Sequence, residues 1–350
     1  MKLLALWAPL ADYTVACLKY LCLSHDVELL LVYQPVENEA PYKQFDLSFC
    51  KKAIAFDKKD DKSIHDLCLE FAPDVVIMSS WNYNSYMSIA KKCREKSAFV
   101  VSTFDGQWEG TLKQRLGILI SPFFLKSRID NFFVPGDRQA TFARKLGYEN
   151  PLQGYYSANS ARFDNIASIP RYNRFVFVGR LVDVKGIDIL IDAYVAYRKT
   201  TANPWDLYIC GTGPLSNLCA NIEGVKMLGF LQPEELVQVF LSSKCLLLPS
   251  YTEPWGVVVH EAALAGLSMI SSYKVGASTF YIRDGQNGYI VNPDKSSFAR
   301  AMKLMSDMPD ARISSMSATS ETLGRLWTVE KWAQYVYENI CLQKQLNVAD

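Results

Sequence analysis

The chain has 350 residues, a formal net charge of +1 at pH 7 and a composition that is 49% hydrophobic. This length is too great for one ordinary domain and suits two, and the apolar fraction provides an ample core. The near-neutral charge gives no general reason to expect a nucleic-acid partner, and no block of like charge is typical of a disordered tail.

Histidine and cysteine usage argues against a zinc site and against a disulfide framework. The three histidines, His25, His65 and His260, are scattered, and the nine cysteines form no C-x-x-C pair. An odd number of dispersed cysteines is typical of free thiols in a reducing compartment, so we expect a cytoplasmic protein.

The first residues admit two interpretations. Lys2 followed by an apolar run over residues 3–11 resembles a short signal peptide. Asp12 falls where the apolar segment of a signal peptide would continue, and residues 11–23 have helical spacing, so we favour a buried strand followed by a helix. No run reaches the roughly 18 uncharged apolar residues that a membrane-spanning helix needs.

Short apolar runs alternate with helical patterns in the first half, which predicts βαβ units around a parallel sheet. The predicted strands are residues 3–7, 27–32, 53–56, 75–78, 99–102 and 131–134. The predicted helices are residues 11–23, 62–71, 86–96 and 139–146. Residues 155–174 lose this periodicity, so we predict a linker there.

One basic stretch stands out inside the first half. Residues 91–145 hold 11 basic and 5 acidic groups, a net charge of +6, whereas residues 1–90 have a net charge of −4. Within the basic stretch, residues 113–128 have an apolar middle between the basic ends Lys113 and Arg128. Such a segment can lie on an anionic membrane surface, although it is too short and too interrupted by Pro122 to span one. A buried helical pair with charged ends is the alternative.

The alternation resumes in the second half. The predicted strands are residues 175–178, 206–210, 225–228, 245–248 and 269–271, and the predicted helices are residues 185–198, 233–242 and 257–265. Residues 328–342 predict a final amphipathic helix.

The most informative stretch of the second half holds two glutamates eight positions apart. Glu253 follows the buried strand at 245–248, and Glu261 lies in the helix that Gly266 closes. Glu253 is therefore expected in a loop at a strand's carboxyl end, which is where open α/β sheets bind ligands. The free N–H groups of the next helix's first turn form a natural phosphate site.

This stretch resembles the E-x7-E element of the family-4 retaining glycosyltransferases, which have the GT-B fold. The sequence F-V-G-R-L-V-D-V-K-G at 177–186 resembles the family's G-R-x4-K-G element and comes in the expected order. G-T-G-P at 211–214 and L-G-F at 228–230 lie between the two elements, as in that family. The resemblance implies an α/β protein with two Rossmann-like domains whose parallel sheets face each other across a cleft.

The resemblance also implies how the chain is divided. We expect an acceptor-binding domain over residues 1–160 and a nucleotide-sugar-binding domain over residues 171–326. Residues 327–350 are expected to form a helix that packs back on the N-terminal domain. A core helix of the second domain is the alternative.

Four charged residues match the family's donor site. Arg180 and Lys185 match the residues that bind the donor's diphosphate, where fixed cations meet the charge of the leaving group. We expect both charges to be exposed. Glu253 matches the residue assigned to the donor sugar, and Glu261 the one assigned to the ribose hydroxyls. The alternatives are a loop with two solvated charges and a helix carboxylate with a structural partner.

Backbone groups and an apolar wall complete the expected donor site. N–H groups of the loop and helix after Glu253 are expected to cap the phosphates, the turn at 228–231 to contact the base, and glycines to approach the nucleotide closely. For the glycines at 211 and 213, an ordinary strand-to-helix turn is the alternative. The expected donor-binding residues are Gly179, Gly211, Gly213, Gly229, Phe230, Trp255, Gly256, Val257, Val258 and Glu261.

The resemblance is weaker in the first half. Residues 7–12 read W-A-P-L-A-D where many members carry a Gly-Gly pair, and residues 100–110 stand where many place a histidine near the donor sugar. Asp105 and Glu109 are the candidates for contacting the reacting sugars or accepting the acceptor's proton, and we choose Asp105. A helix cap followed by surface charge is the alternative. His260 is expected to pack rather than react.

The resemblance and the residues that match its motifs imply a retaining glycosyltransferase that moves a hexose-type sugar from a nucleoside diphosphate sugar to a saccharide or lipid-linked saccharide hydroxyl. The resemblance implies no required metal or other cofactor, and we expect a role in surface polysaccharide or lipopolysaccharide synthesis, with no nucleic-acid partner. Two alternatives remain open: a non-hydrolysing nucleotide-sugar epimerase, and a non-catalytic nucleotide-sugar-binding subunit.

Overall fold

The computed structural model describes residues 1–35, 42, 45–57, 61–164 and 169–343. These residues divide into two compact units. Unit 1 holds the described residues up to 157 together with residues 329–343, and unit 2 holds residues 158–164 and 169–328. Residues 165–168 of the predicted linker and residues 344–350 of the predicted C-terminal segment lie outside the described residues.

In the described part of unit 1, seven parallel strands form one sheet with the order β3-β2-β1-β4-β5-β6-β7. The strands are β1 (Lys2–Trp7), β2 (Glu28–Tyr33), β3 (Lys52–Ala55), β4 (Val75–Met78), β5 (Phe99–Thr103), β6 (Asn131–Val134) and β7 (Leu152–Gln153). The helices are α1 (Asp12–His25), α2 (Asp61–Phe71), α3 (Asn84–Glu95), α4 (Leu112–Leu125) and α5 (Asp137–Lys145).

In the described part of unit 2, six parallel strands have the order β10-β9-β8-β11-β12-β13. They are β8 (Arg174–Val178), β9 (Asp206–Cys210), β10 (Val225–Gly229), β11 (Cys245–Leu248), β12 (Ser268–Ser272) and β13 (Gly288–Val291). The helices are α6 (Ile187–Lys199), α7 (Pro233–Leu241), α8 (Val257–Leu264), α9 (Ser278–Tyr281), α10 (Lys295–Ser306) and α11 (Asp310–Gly324).

The last described helix belongs to unit 1. Helix α12 (Val329–Val336) packs on α1 and continues into a π-helical turn, Tyr337–Cys341. The indole N–H of Trp332 donates a hydrogen bond to the Tyr155 carbonyl at 2.8 Å, and the rings of His25 and Tyr337 stack with centroids 4.3 Å apart. The amphipathic stripe therefore covers the helix that follows the first strand.

The central strands of both sheets are buried, whereas β3 and β10 at the sheet edges are partly exposed. Leu3, Leu4 and Leu6 of β1 have no exposed surface, and neither does Leu247 of β11. The strands of a parallel sheet that is covered on both faces have continuous apolar sequences rather than alternating ones, which is why these strands can be recognised in the sequence. The predicted α/β class is confirmed.

Helix α4 corrects one sequence-based expectation, since Pro122 does not interrupt it. Proline has no N–H to donate to the carbonyl four residues earlier, at Ile118. The Ser121 hydroxyl donates to that carbonyl instead, at 3.2 Å, and the helix runs on to Leu125. No helix in the part of the chain that the structure describes is both long and apolar enough to cross a membrane.

Candidate functional site

The two sequence motifs of unit 2 meet where its strand order reverses. The chain builds outward from β8 to β10 on one side of the sheet and from β11 to β13 on the other. Open α/β sheets bind ligands at the carboxyl ends of the two strands that flank such a reversal. Residues 179–186 leave β8 and residues 249–256 leave β11, so both motif loops lie at this position.

Backbone hydrogen bonds join the two loops. The Val184 carbonyl accepts hydrogen bonds from the N–H groups of Tyr251 and Thr252, at 2.9 and 3.2 Å. The Tyr251 hydroxyl also donates to the Asp188 carboxylate at 2.7 Å. Sequence reasoning missed Val184, because a contact made by a backbone carbonyl leaves no mark on the residue type.

The Lys185 ammonium is ion-paired with the Glu253 carboxylate, which brings together one residue from each motif. The two side chains are only 18% and 11% exposed. The expectation of an exposed Lys185 is therefore wrong: this residue ends a short 3-10 turn, Asp183–Lys185, and its side chain reaches the second loop. Arg180 is exposed.

The backbone of Glu253 is anchored on the loop after β12. The Gly276 N–H donates to the Glu253 carbonyl at 3.1 Å, and Glu253 forms an isolated parallel bridge with Val275. Pro254 restricts Glu253 to an extended backbone. A Cβ at Gly256 would lie 3.0 Å from Glu253 Cγ, so the glycine leaves room for this side chain. The backbone of Glu253 is thus held in place, and its side chain has room beside Gly256.

Three glycines allow backbone segments of the site to approach each other closely. A Cβ on Gly211 would lie 1.9 Å from the Gly179 carbonyl oxygen, and one on Gly213 would lie 2.4 Å from the Leu181 carbonyl oxygen. A Cβ on Gly186 would lie 2.5 Å from a carbonyl oxygen of the second loop. These glycines are therefore required by the protein's own backbone, whatever their contact with a nucleotide.

Helix α8 begins directly after the second loop. Gly256 at its N-terminus has φ of +90°, in the left-handed region, and as a glycine it has no side chain with which to cap this end. The first-turn N–H groups of Val257 and Val258 carry the positive end of the helix dipole, which favours an anion. Glu261, one turn further, is half-buried.

The opposite end of α8 is held by a guanidinium group that the sequence did not indicate. Arg171 donates hydrogen bonds to the carbonyls of Ala265 and Gly266, at 2.5 and 3.0 Å, and to the Ser243 carbonyl at 3.2 Å. The carbonyls at the carboxyl end of a helix have no hydrogen-bond donor within the helix, and here the Arg171 side chain supplies donors to two of them.

His260 of α8 is a structural residue, as expected. It is 1% exposed; its Nδ1 accepts a hydrogen bond from the Ala158 N–H at 3.0 Å, and its Nε2 lies 3.0 Å from the Gly324 carbonyl. These partners require the neutral ring with the proton on Nε2. Burial lowers the pKa of His260 to about 4, although the hydrogen bonds to backbone carbonyls oppose this shift.

The remaining predicted donor residues lie at the edges of this site. The Gly211 N–H donates to the Gly229 carbonyl at 2.7 Å, so the first and last glycines of the intervening motifs are hydrogen-bonded. Phe230 is half-buried. Trp255 is 4% exposed and packs against Phe280 with ring centroids 5.3 Å apart, so it forms part of the wall beneath the loop.

Asp105, the acceptor-side candidate, lies in unit 1 just after β5. Its carboxylate accepts a hydrogen bond from the Tyr156 hydroxyl at 3.3 Å, and its backbone carbonyl accepts one from the Gln139 amide at 3.1 Å. Burial raises the pKa of Tyr156 well above its usual value, so it donates as a neutral phenol. Glu109 is exposed. Tyr156 was missed because it lies in the predicted linker.

Within the described residues, no group of three His, Cys, Asp or Glu side chains is placed to hold a metal ion.

Residues 161–318 match the family model described as Glycosyl transferases group 1. This match covers the unit that carries both motifs. The chain is 30% identical over 159 residues to D-inositol 3-phosphate glycosyltransferase of Corynebacterium efficiens, which covers 41% of this chain and 37% of that protein. It is 32% identical over 150 residues to D-rhamnosyltransferase WbpZ of Pseudomonas aeruginosa, covering 40% and 37%. The chain thus spans less than half the length of these relatives.

Solved structures resemble the whole chain. Sucrose-phosphate synthase from Thermosynechococcus elongatus superposes with a TM-score of 0.74 at 16% identity and covers 100% of both chains. Anabaena HepE, in complex with UDP and glucose, superposes with a TM-score of 0.70 at 15% identity and covers 97% of this chain and 98% of that one. The fold is GT-B, and the group 1 match lies in its second unit.

Proposed function

We propose that this chain is a retaining glycosyltransferase of family 4 that transfers a hexose-type sugar from a nucleoside diphosphate sugar to a hydroxyl acceptor. The observation that carries the proposal is the meeting of Lys185 with Glu253 at the strand-order reversal of unit 2. A cation and a carboxylate from two distant motifs lie there beside the start of α8, whose N-cap residue is a glycine. The group 1 match and the relatives named glycosyltransferases support the same conclusion.

The charges of the site suit the leaving group. As the donor bond breaks, negative charge collects on the diphosphate, and preorganised cations lower the energy of that state. Arg180 is exposed at the end of β8, and Lys185 holds its ammonium at the second loop. A bound diphosphate gives Lys185 a second anionic partner. The Glu253 carboxylate then becomes available to accept hydrogen bonds from the donor sugar's hydroxyls.

The proposed step is attack by the acceptor hydroxyl on the same face of the sugar from which the diphosphate leaves. The new bond forms between the acceptor oxygen and the anomeric carbon while the bond to the phosphate oxygen breaks. The departing phosphate oxygen takes the acceptor's proton, and Asp105 contacts the reacting sugars. Glu261 binds the ribose hydroxyls, and the first-turn N–H groups of α8 bind phosphate.

A panel of nucleotide sugars without acceptor distinguishes this proposal from its two rivals. UDP-glucose, UDP-N-acetylglucosamine, GDP-mannose and ADP-glucose are each incubated with the protein, and products are followed by chromatography and NMR. Slow release of free nucleotide that Arg180→Ala abolishes supports a transferase. An epimerised donor supports the epimerase, and binding without any turnover supports a non-catalytic subunit. HepE was solved with UDP, so uridine donors are tested first.

The acceptor and the metal requirement extend the same proposal. We expect a saccharide or lipid-linked saccharide acceptor in surface polysaccharide or lipopolysaccharide synthesis, with the protein acting at the inner face of the cell membrane. Cationic side chains take the place of a metal at the leaving group, so transfer should survive excess EDTA. Loss of activity that manganese or magnesium restores would contradict this part.

A further inference from the structure

Helix α4 turns an apolar stripe toward solvent. The exposed fractions are 79% for Leu112, 61% for Leu116, 69% for Leu119, 64% for Ile120 and 86% for Phe123. A surface helix of a globular protein normally has the reverse arrangement, with its apolar residues facing the core. The alternative of a buried helical pair with charged ends is therefore wrong.

The five exposed side chains form one continuous face. Their spacing of 4, 3, 1 and 3 residues places them within an arc of about 100° at ~100° per residue. The other side of the helix attaches to unit 1: Ser121 and Leu125 are buried, and Ile118 packs on the core cluster. The Ser121 bond to the Ile118 carbonyl keeps the helix regular past Pro122, so Phe123 stays in line with the stripe.

Basic residues border the apolar stripe, and acidic ones are absent from this stretch. Lys113, Arg115 and Lys126 are exposed, with the first on one edge of the stripe and the other two on the opposite edge. Arg128 follows just beyond the helix. The sequence holds no aspartate or glutamate from residue 110 to residue 129. The face is therefore complementary to a surface that is both anionic and apolar.

We propose that α4 is a docking surface for an anionic lipid bilayer and lies in the plane of its interface. The 14 residues of α4 span about 21 Å, which is too short for a hydrocarbon core of about 30 Å. The apolar stripe enters the interface while the bordering cations contact lipid phosphates. This surface belongs to unit 1, whereas the donor site belongs to unit 2, and binding at the surface does not require sugar transfer.

Co-sedimentation with liposomes tests the proposal. The protein is mixed at low salt with vesicles of phosphatidylglycerol and phosphatidylcholine or of phosphatidylcholine alone. We expect it to pellet with the anionic vesicles only, and to be released by 0.5 M salt because exposed charges are screened. Each basic residue near such a surface contributes about 1 kcal/mol, or roughly fivefold in affinity.

Two variants separate the apolar and the ionic contributions. Leu119→Ser with Phe123→Ser should weaken vesicle binding by at least tenfold, because each loses apolar surface that would enter the interface. Changing Lys113, Arg115, Lys126 and Arg128 to glutamine should weaken it by up to several hundredfold and remove the preference for anionic lipid. The matched control variant makes the same change to glutamine at four exposed lysines elsewhere in unit 1, and it should bind the vesicles nearly as strongly as the wild type. These lysines are Lys52, Lys62, Lys91 and Lys92.

Three outcomes overturn the proposal. One is a folded wild-type protein that ignores anionic vesicles at low salt. Another is a control variant that loses binding as strongly as the α4 charge variant, because overall charge then explains the attraction. The third is a dimer in the absence of lipid that Phe123→Ser dissociates, because a second copy then covers the stripe. Nucleotide release from the donor panel should be unchanged in both α4 variants, so failure of docking and failure of the proposed transfer are distinguishable.

Discussion

The two units share a parallel-sheet architecture, yet their candidate sites are built differently. In unit 2 the motif loops are joined by backbone hydrogen bonds and by glycines that no larger residue can replace without a clash. In unit 1, by contrast, Asp105 is held by hydrogen bonds from the side chains of Tyr156 and Gln139, and α4 presents an exposed apolar stripe. A site that depends on backbone geometry requires particular residue types at fixed spacings, and these can be recognised in a sequence. A site that depends on contacts between side chains distant in sequence produces no such motif.

The largest effect is expected from Gly211→Ala. Its Cβ would lie 1.9 Å from the Gly179 carbonyl oxygen, and the residue has φ of +140°. We expect a loss of more than about 4 kcal/mol in the free energy of unfolding, the range of exceptional single substitutions. Denaturant unfolding measures it. Gly117→Ala in unit 1 is the control, since nothing lies within 4 Å of its Cβ, and it should stabilise α4 by up to about 1 kcal/mol. Equal tolerance at both positions would remove the contrast between the units.

Next come the two cations of the first motif. Arg180→Ala and Lys185→Ala should each lower turnover by roughly a hundredfold or more, the scale for losing one preorganised stabiliser of charge. Arg180 is exposed, so its loss should leave the thermal midpoint unchanged. Lys185→Ala should lower the midpoint, because the buried Glu253 carboxylate loses its partner. Adding Glu253→Gln should restore most of that stability. Wild-type turnover in either single variant contradicts the proposed role at the leaving group.

The two glutamates should differ in what they disturb. Glu261→Ala is expected to weaken binding of the bare nucleoside diphosphate about tenfold, because the ribose loses a charged hydrogen-bond acceptor. Glu253→Ala should leave that binding within about threefold and slow transfer instead, because its proposed partner is the sugar. Calorimetry with the nucleoside diphosphate separates the two. Equal losses of affinity would show that they do not divide the donor between them.

A last effect, confined to acid conditions, concerns the stability of unit 2 and acts through His260. Its pKa is lowered from 6.5 to about 4, so between these values the ring is neutral in the folded protein and protonated in the unfolded chain. Protonation of the unfolded chain therefore lowers the free energy of unfolding as the pH falls from 6.5 toward 4, by about 2 kcal/mol at pH 5, and has no effect above pH 6.5. His260→Gln should flatten the fall in hydrogen-exchange protection of α8 between pH 7.5 and pH 5. A fall as steep as in wild type would assign the acid sensitivity to other groups.

Sequence reasoning located the regular core well, because buried parallel strands are uninterrupted apolar runs. β4, β6, β9 and β11 are predicted with the bounds that the structure shows. It missed β7, β13, and α9 to α11, although the buried residues of α10 have helical spacing. The segment that forms α4 was recognised by its basic ends and apolar middle. Whether its apolar residues face the core or the solvent stayed undecided, because composition is the same in both cases.

The site was predictable only where residue type is constrained. Lys185 and Glu253 were singled out separately, but their ion pair was not foreseen, because it depends on the three-dimensional approach of two loops. Val184 accepts hydrogen bonds through its backbone carbonyl, and Arg171 donates hydrogen bonds to backbone carbonyls. Because every residue has a backbone carbonyl, the residue type at the accepting position does not reveal such a contact. Tyr156 lies in the predicted linker, where no periodicity guides interpretation.

Arg171 has a consequence for the folding of α8. This helix has only eight residues, and isolated helices of that length are unstable in water. Its order comes from packing, since five of its residues are buried, and from hydrogen bonds that Arg171 donates at its carboxyl end. The amino end can therefore remain open to an incoming anion while the helix stays formed before the ligand arrives. Under the proposed function, donor binding would then incur no cost for ordering this helix, to whose stability Arg171 contributes from the opposite end.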